Sequence, residues 1–234
     1  MQLQVREPKA NWRFEGHDLH ELREMIDGQA IDRCLVSSTV KLSREIQADI
    51  DRLNIPSTRY LDHTTPLPVR NAYKTPDTLG SDRLAAAIGA YFTACAQAGA
   101  AVPVLVIDAG TAITYDFVTA DGQYLGGNIS PGVEMRFKAL HHYTSRLPLV
   151  SESGEHPDIG HSTETAIRCG VIDGVRHEIQ GFISRFCLKH PRLLVFLTGG
   201  DYLDFEESAK KRIFADRFLV HKGLDLILQG IDNS

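Results

Sequence analysis

The segment VLVIDAGTAITYD, residues 104–116, constrains the fold of this chain more than any other. Its apolar run reads as a buried strand over 103–108 that ends on an acid, Asp108, and turns at Ala109-Gly110. Gly110 allows a tight turn and lets the backbone approach a ligand without a Cβ in the way. A second apolar run, RLLVFLTGGD over 192–201, repeats the theme of a strand closing on small residues and an Asp. Helix-like segments separate the two, and strands alternating with helices imply an α/β architecture. Two strands ending in Gly-rich turns fit a cleft with paired phosphate-handling loops, although periodicity alone equally allows an ordinary doubly wound sheet.

The remaining segments fill in that frame. RCLVSSTV over 33–40 reads as a short strand, and 42–53 as a helix with Ser43 as its cap and Ile46, Ile50 and Leu53 at helical spacing. Pro66, Pro68 and Pro76 exclude long regular structure from 61–83, and a loop of that length in a compact domain is usually functional. An Ala-rich helix is expected over 82–99. Residues 111–129 read as a hairpin around Asp121-Gly122. Ser130 and Pro131 mark a helix over 130–147. A further helix is expected over 162–190, broken near Gly181, with Gly170 and Gly174 placed to admit another backbone. A last helix covers 222–231.

Composition narrows the function classes. The 234 residues suffice for one large domain or two small ones. A formal charge of −5 and a pI near 6.0 offer no basic field for nucleic acid. Four cysteines, far apart and without a CxxC pair, speak against a structural zinc site or disulfide framework and fit a reducing cytoplasm. No signal-peptide apolar core and no membrane-spanning run occur, so a soluble intracellular protein is expected.

Four loops carry candidate chemistry. In the first, Thr111 and Thr114 bring hydroxyls, and exposed amides of such a turn cradle phosphate oxygens. Asp108 suits a cation or a substrate hydroxyl; alternatively it only caps nearby amides. The loop matches neither the lysine-bearing Walker pattern nor GxGxxG. In YKTPDTLGSDR, 73–83, Gly80 permits close approach, Asp82 can accept a proton and Arg83 can hold a carboxylate with two hydrogen bonds. The alternative has Asp82 favouring a helix N-terminus and Arg83 in a surface ion pair. In GGNISPG, 126–132, two glycines before a Pro-opened helix would aim free N–H groups at an anion, or simply form a hairpin exit. TGGD, 198–201, would let an adenosine slide against the backbone, or is only a turn. His141 and His142 read as surface or packing residues, and Lys210-Lys211 as a solvated face.

Taken together, GSDR, DAGTAITYD, GGNISPG, STETAIRCG and LTGGD resemble the type III pantothenate kinases, from about residue 31 to the C-terminus. The resemblance implies an actin-like (ribonuclease H-like) two-domain α/β fold with a central cleft, divided at 1–100 and 101–234. It implies phosphorylation of pantothenate by ATP to 4'-phosphopantothenate, the first step of coenzyme A biosynthesis. It assigns the proton-accepting, catalytic role to Asp82. Pantothenate contacts fall on Tyr73, Gly80, Ser81, Asp82, Arg83 and Thr163. ATP contacts fall on Gly110 and Thr111, and Asp108 becomes a ligand of a monovalent cation, K⁺ or NH₄⁺, used beside Mg²⁺. A cytoplasmic homodimer whose site is complete only when paired is also implied. Another actin-like sugar or acid kinase is disfavoured because GSDR and GGNISPG occur together.

One family motif has no counterpart here. The first strand of the family carries an Asp-x-Gly-Asn-Thr-like loop for the ATP phosphates and Mg²⁺, whereas this chain has no Gly before Gly16 and no Asp before Asp18. A shortened chain, with its first domain incomplete at the N-terminus, is expected. The alternative is a catalytically weak or inactive pantothenate-binding relative with a regulatory role.

Overall fold

The computed structural model describes residues 20–26, 29–200 and 213–231. A helix α1 (His20–Ile26) precedes a parallel pair of strands, β1 (Arg33–Val36) and β2 (Ser57–Tyr60), joined through helix α2 (Arg44–Asp51). Strand β1 stops four residues short of the expected 33–40. Ser43 caps α2 as expected, its hydroxyl accepting the Ile46 N–H.

The centre is a mixed six-stranded sheet. Strand β4 (Val104–Ala109) pairs antiparallel with β5 (Ala112–Val118) and parallel with β7 (Leu194–Gly199). Beyond β5 lie β6 (Gln123–Pro131) and β3 (Arg70–Asn71), and β8 (Ile213–Ala215) closes the other edge. Helices α3 (Ser81–Ala98) and α6 (Leu219–Ile231) cover one face, and α4 (Val133–Tyr143) and α5 (Thr163–Lys189) cover the other. This explains the unbroken apolar run of β4. Leu105 and Ile107 join Tyr115 and Phe117 under α5, while Val104 and Val106 join Val118, Tyr124 and Phe196 under α3. A strand covered on both faces needs apolar residues at every position.

Helices α3 and α6 meet through small residues. A Cβ on Gly89 would fall 2.2 Å from the Leu219 carbonyl oxygen, and one on Gly223 would fall 1.8 Å from that of Ala85. Only glycine permits this approach, and it locks α3 against α6.

Two expected helices differ in extent. Helix α4 begins at Val133, not at 130, because β6 continues through Pro131, the end of the ladder, where a missing N–H costs little. Gly132 takes the N-cap position. Helix α5 runs unbroken past Gly181, since Val175, Ile179 and Ile183 on its buried stripe each contribute roughly 1.5–3 kcal/mol against the ~1 kcal/mol cost of a helical glycine. A Cβ on Gly170 or Gly174 would meet nothing within 4 Å, so no backbone approaches them among the described residues. Asp201 and Lys210-Lys211 lie outside the described residues. Among those described, no helix is long and apolar enough to cross a membrane.

Candidate active site

The first turn of α3 gathers most of the expected substrate contacts. Gly80 is its N-cap, Ser81 opens the helix and Asp82 follows. The Asp82 Oδ1 accepts the Arg83 backbone N–H at 2.8 Å, and a Cβ on Gly80 would lie 2.6 Å from that oxygen. Glycine therefore leaves the space in which the carboxylate sits, at the end of the helix that favours negative charge. Ser37 donates to Ser81 Oγ at 2.8 Å, and Ser81 donates to the Ser38 carbonyl at 3.2 Å, tying the exit of β1 to this turn. A cleft of about 840 Å³ opens here, with Ser38, Asn71, Leu79, Gly80 and Ser81 on its walls.

Arg83 points inward. Its Nη2 donates to Asp116 Oδ1 at 2.6 Å and its Nε to Oδ2 at 3.2 Å, with side-chain exposures of 9% for Arg83 and 2% for Asp116. Tyr124 adds a third bond to Asp116 at 2.7 Å. Burial works against the guanidinium charge, but the hydrogen bonds and charge of Asp116 outweigh it and hold the Arg83 pKa above its usual value. Burial, then the Asp116 charge, likewise pushes the Tyr124 phenol up, so it donates rather than ionises. Arg83 directs two guanidinium N–H groups at Asp116 and also bonds to the Tyr73 side chain. The sequence alone offered a substrate carboxylate or a surface ion pair; the pair exists but is buried. Asp116 went unassigned in the sequence, although a polar residue on a strand flanked by buried Tyr115, Phe117 and Val118 signals an inward partner.

The Tyr73 ring lies 5.9 Å from the Arg83 guanidinium and 6.2 Å from the Tyr124 ring. Gly126 makes its seat: at φ +93°, an added Cβ would come within 2.6 Å of the Tyr73 ring. Gly126→Ala is expected to lower stability by about 1–3 kcal/mol through overpacking, read by urea unfolding. Unchanged stability would mean that Tyr73 has room to step aside.

The residues expected to meet ATP and the cation sit one step along the same sheet face. Asp108 pairs in register with Thr114 on β5 and Thr198 on β7, and Asp116 pairs with Val106. Side chains alternate along a strand, so Asp108, Thr114, Thr198 and Asp116 share the α3 face. Asp108 is thus two residues, about 7 Å, from the register position of Asp116. Gly110 donates to the Ala112 carbonyl at 3.2 Å, and Gly132 donates to that of Thr111 at 3.1 Å. A Cβ on Gly132 would fall 2.1 Å from the Gly110 oxygen, and one on Gly199 would fall 2.2 Å from that of Ala109. The β4–β5 turn, the end of β7 and the start of α4 therefore meet closely. Gly126 and Gly127 belong to the β5–β6 ladder, which is the hairpin exit that the sequence offered as the alternative for GGNISPG.

Behind this junction, Glu178 of α5 accepts from Tyr115 (2.8 Å), Ser130 and Arg136, bracing β5, β6 and α4 together. Burial raises the Glu178 pKa, yet the bonds from Arg136, Ser130 and Tyr115 outweigh it and draw it below the usual range. Thr163 stands apart: it is exposed at the first position of α5, a helix packed on the opposite sheet face. His141 and His142 are exposed, as expected, with His141 Nδ1 2.8 Å from the Leu147 oxygen.

The family model of type III pantothenate kinase matches residues 8–185. The chain is 50% identical over 217 residues to the type III pantothenate kinase of Phocaeicola vulgatus, covering 93% of this chain and 87% of that one. The Bacteroides fragilis protein of the same description is 49% identical over 210 residues, covering 90% and 84%. That of Cytophaga hutchinsonii is 38% identical over 223 residues, covering 94% and 90%. Among solved structures, a Campylobacter jejuni protein described as a Baf family transcriptional activator is similar in fold. Its TM-score is 0.53 at 20% identity, with 91% of this chain and 89% of that one covered. By class the chain is a kinase, built on a mixed α/β fold. It belongs to the type III pantothenate kinase family.

Proposed function

We propose that this chain transfers the terminal phosphoryl group of ATP to the hydroxyl of pantothenate, forming 4'-phosphopantothenate at the first step of coenzyme A biosynthesis. The observation that carries the reading is the Asp82 carboxylate on the first turn of α3, beside an Arg83 anchored from below by Asp116. Asp82 takes the proton of the attacking hydroxyl. Arg83 and Tyr73 hold the carboxylate end of pantothenate, with Gly80 and Ser81 framing the chain between. Phosphoryl transfer needs positioning and relief of negative charge more than covalent chemistry. Gly110 and Thr111 supply the turn that meets the ATP phosphates. Asp108, with Thr114 and Thr198 beside it in register, is an all-oxygen donor set of the kind that hard cations such as K⁺ accept. When bound, K⁺ or NH₄⁺ and the Mg²⁺ that accompanies ATP neutralise phosphate charge.

The same reading takes the chain as an actin-like protein of two halves, 1–100 and 101–234, with α3 packed onto α6 across the junction. It works in the cytoplasm as a homodimer, in which a second copy supplies Thr163. Supporting this, Thr163 lies on the sheet face away from Asp82, and Leu125, Ile129 and Met135 on β6 and α4 expose apolar surface.

The test is product formation by the purified chain with ATP, Mg²⁺, K⁺ and pantothenate. Binding of pantothenate without any phosphorylated product would overturn the kinase assignment. Asp108→Ala is expected to flatten the dependence of rate on K⁺ concentration. A variant with the K⁺ response of the parent would take Asp108 out of the cation site.

A further inference from the structure

The loop 151–160 is stitched to α5 by Arg168, whose Nε donates to the Ser151 carbonyl at 3.0 Å and whose Nη1 donates to that of Glu155 at 2.9 Å. This stitch brings His156 over α5, where Cys169 and Asp173 stand one turn apart on the same face. The His156 Nε2 lies 3.2 Å from Asp173 Oδ2, and the three ligand atoms lie within 4.8 Å of one another. Cys169 is buried and donates its S–H to the Pro157 carbonyl at 3.0 Å.

We propose that His156, Cys169 and Asp173 form a Zn²⁺ site that clamps the 151–160 loop to α5. A tetrahedral zinc with Zn–N and Zn–O near 2.0–2.1 Å sets those two atoms about 3.3 Å apart. The His156–Asp173 spacing already meets this, and the thiolate closes the rest by leaving the Pro157 carbonyl. Cys169 gives up its proton to solvent on binding. The mixed sulfur, nitrogen and oxygen set selects Zn²⁺ or Co²⁺ over K⁺, Mg²⁺ or Ca²⁺. Arg176 Nη1 faces the other Asp173 oxygen, Oδ1, at 3.3 Å and leaves Oδ2 for the metal. Thiolate and carboxylate together bring two negative charges, which the dication balances. Three protein ligands leave a fourth position for water. This site shares no residue with the phosphoryl-transfer site and stands independently of the kinase reading.

The full chain, stripped with a chelator, is titrated with Co²⁺ and then with Zn²⁺. One equivalent of Co²⁺ is expected to produce a thiolate-to-cobalt charge-transfer band that Zn²⁺ abolishes. Cys169→Ser is expected to lose the band although Cys34, Cys95 and Cys187 remain. His156→Gln, at a half-buried position, keeps the parent's far-ultraviolet circular dichroism and binds Zn²⁺ roughly tenfold or more weakly. Zn²⁺ raises the melting temperature of the parent and not of His156→Gln. Absence of a stoichiometric band in the parent, or a band of equal strength in Cys169→Ser, would overturn the site.

Discussion

Replacing Asp82 with Asn is expected to lower kcat for pantothenate phosphorylation by about 10²–10⁴-fold, the range of a lost general base. The amide has the shape of the carboxylate, and its oxygen can still accept the Arg83 N–H that starts α3. It cannot take a proton from the attacking hydroxyl. KM for pantothenate should therefore move little, since the contacts proposed for Arg83 and Tyr73 persist. Steady-state kinetics on both substrates, with melting curves of parent and variant side by side, read the result. A kcat equal to that of the parent would remove Asp82 from the proton-accepting role and leave it as a helix-end charge.

The second large effect is expected at Asp116. Removing one partner of a buried ion pair leaves the other charge uncompensated and costs about 3–5 kcal/mol, a large share of the ~5–15 kcal/mol stability of an ordinary domain. Asp116→Ala is thus expected to unfold at markedly lower urea and to raise KM for pantothenate, because Arg83 loses the bonds that orient it. Poor folding alone would give the same loss of activity, so a double variant separates the two. Arg83→Met with Asp116→Leu replaces the pair by apolar groups, an exchange that is often neutral or stabilising. It should regain part of the stability, since the buried Tyr124 hydroxyl loses its acceptor at a cost of about 1–3 kcal/mol, and none of the pantothenate affinity. A double variant that binds pantothenate as the parent does would show that the pair is purely structural.

The contrast between Asp82 and Asp116 shows where sequence reading reached and where it stopped. Asp82, Arg83 and Gly80 share one helical turn, so local spacing brings them together. Ser43 announced its helix because a cap acts on an N–H three residues away. Gly99, at φ +61°, ended α3 for an equally local reason. Asp116 meets Arg83 across 33 residues, through a sheet register that no short window reveals. Ser130-Pro131 shows the same limit in reverse. Its pattern is that of a cap followed by a first-turn proline, yet the Ser130 hydroxyl is engaged by Glu178, 48 residues on, and the strand runs through. At Gly181 the local preference for a break lost to a long buried stripe. The helical turn that carries Gly80, Asp82 and Arg83 was therefore legible, while the supports beneath it became visible only once the strands were paired.

Gly89 and Gly223 join α3 to α6 main chain against main chain. Such a contact has no rotamers through which to loosen by degrees; it holds or the helices part. Amide protons in the middle of α3 should accordingly exchange with solvent only through the opening that unfolds the whole sheet. The carboxylate at its head then rides on the slowest-breathing part of the protein, and its position is kept by the chain's last helix as much as by its own neighbours.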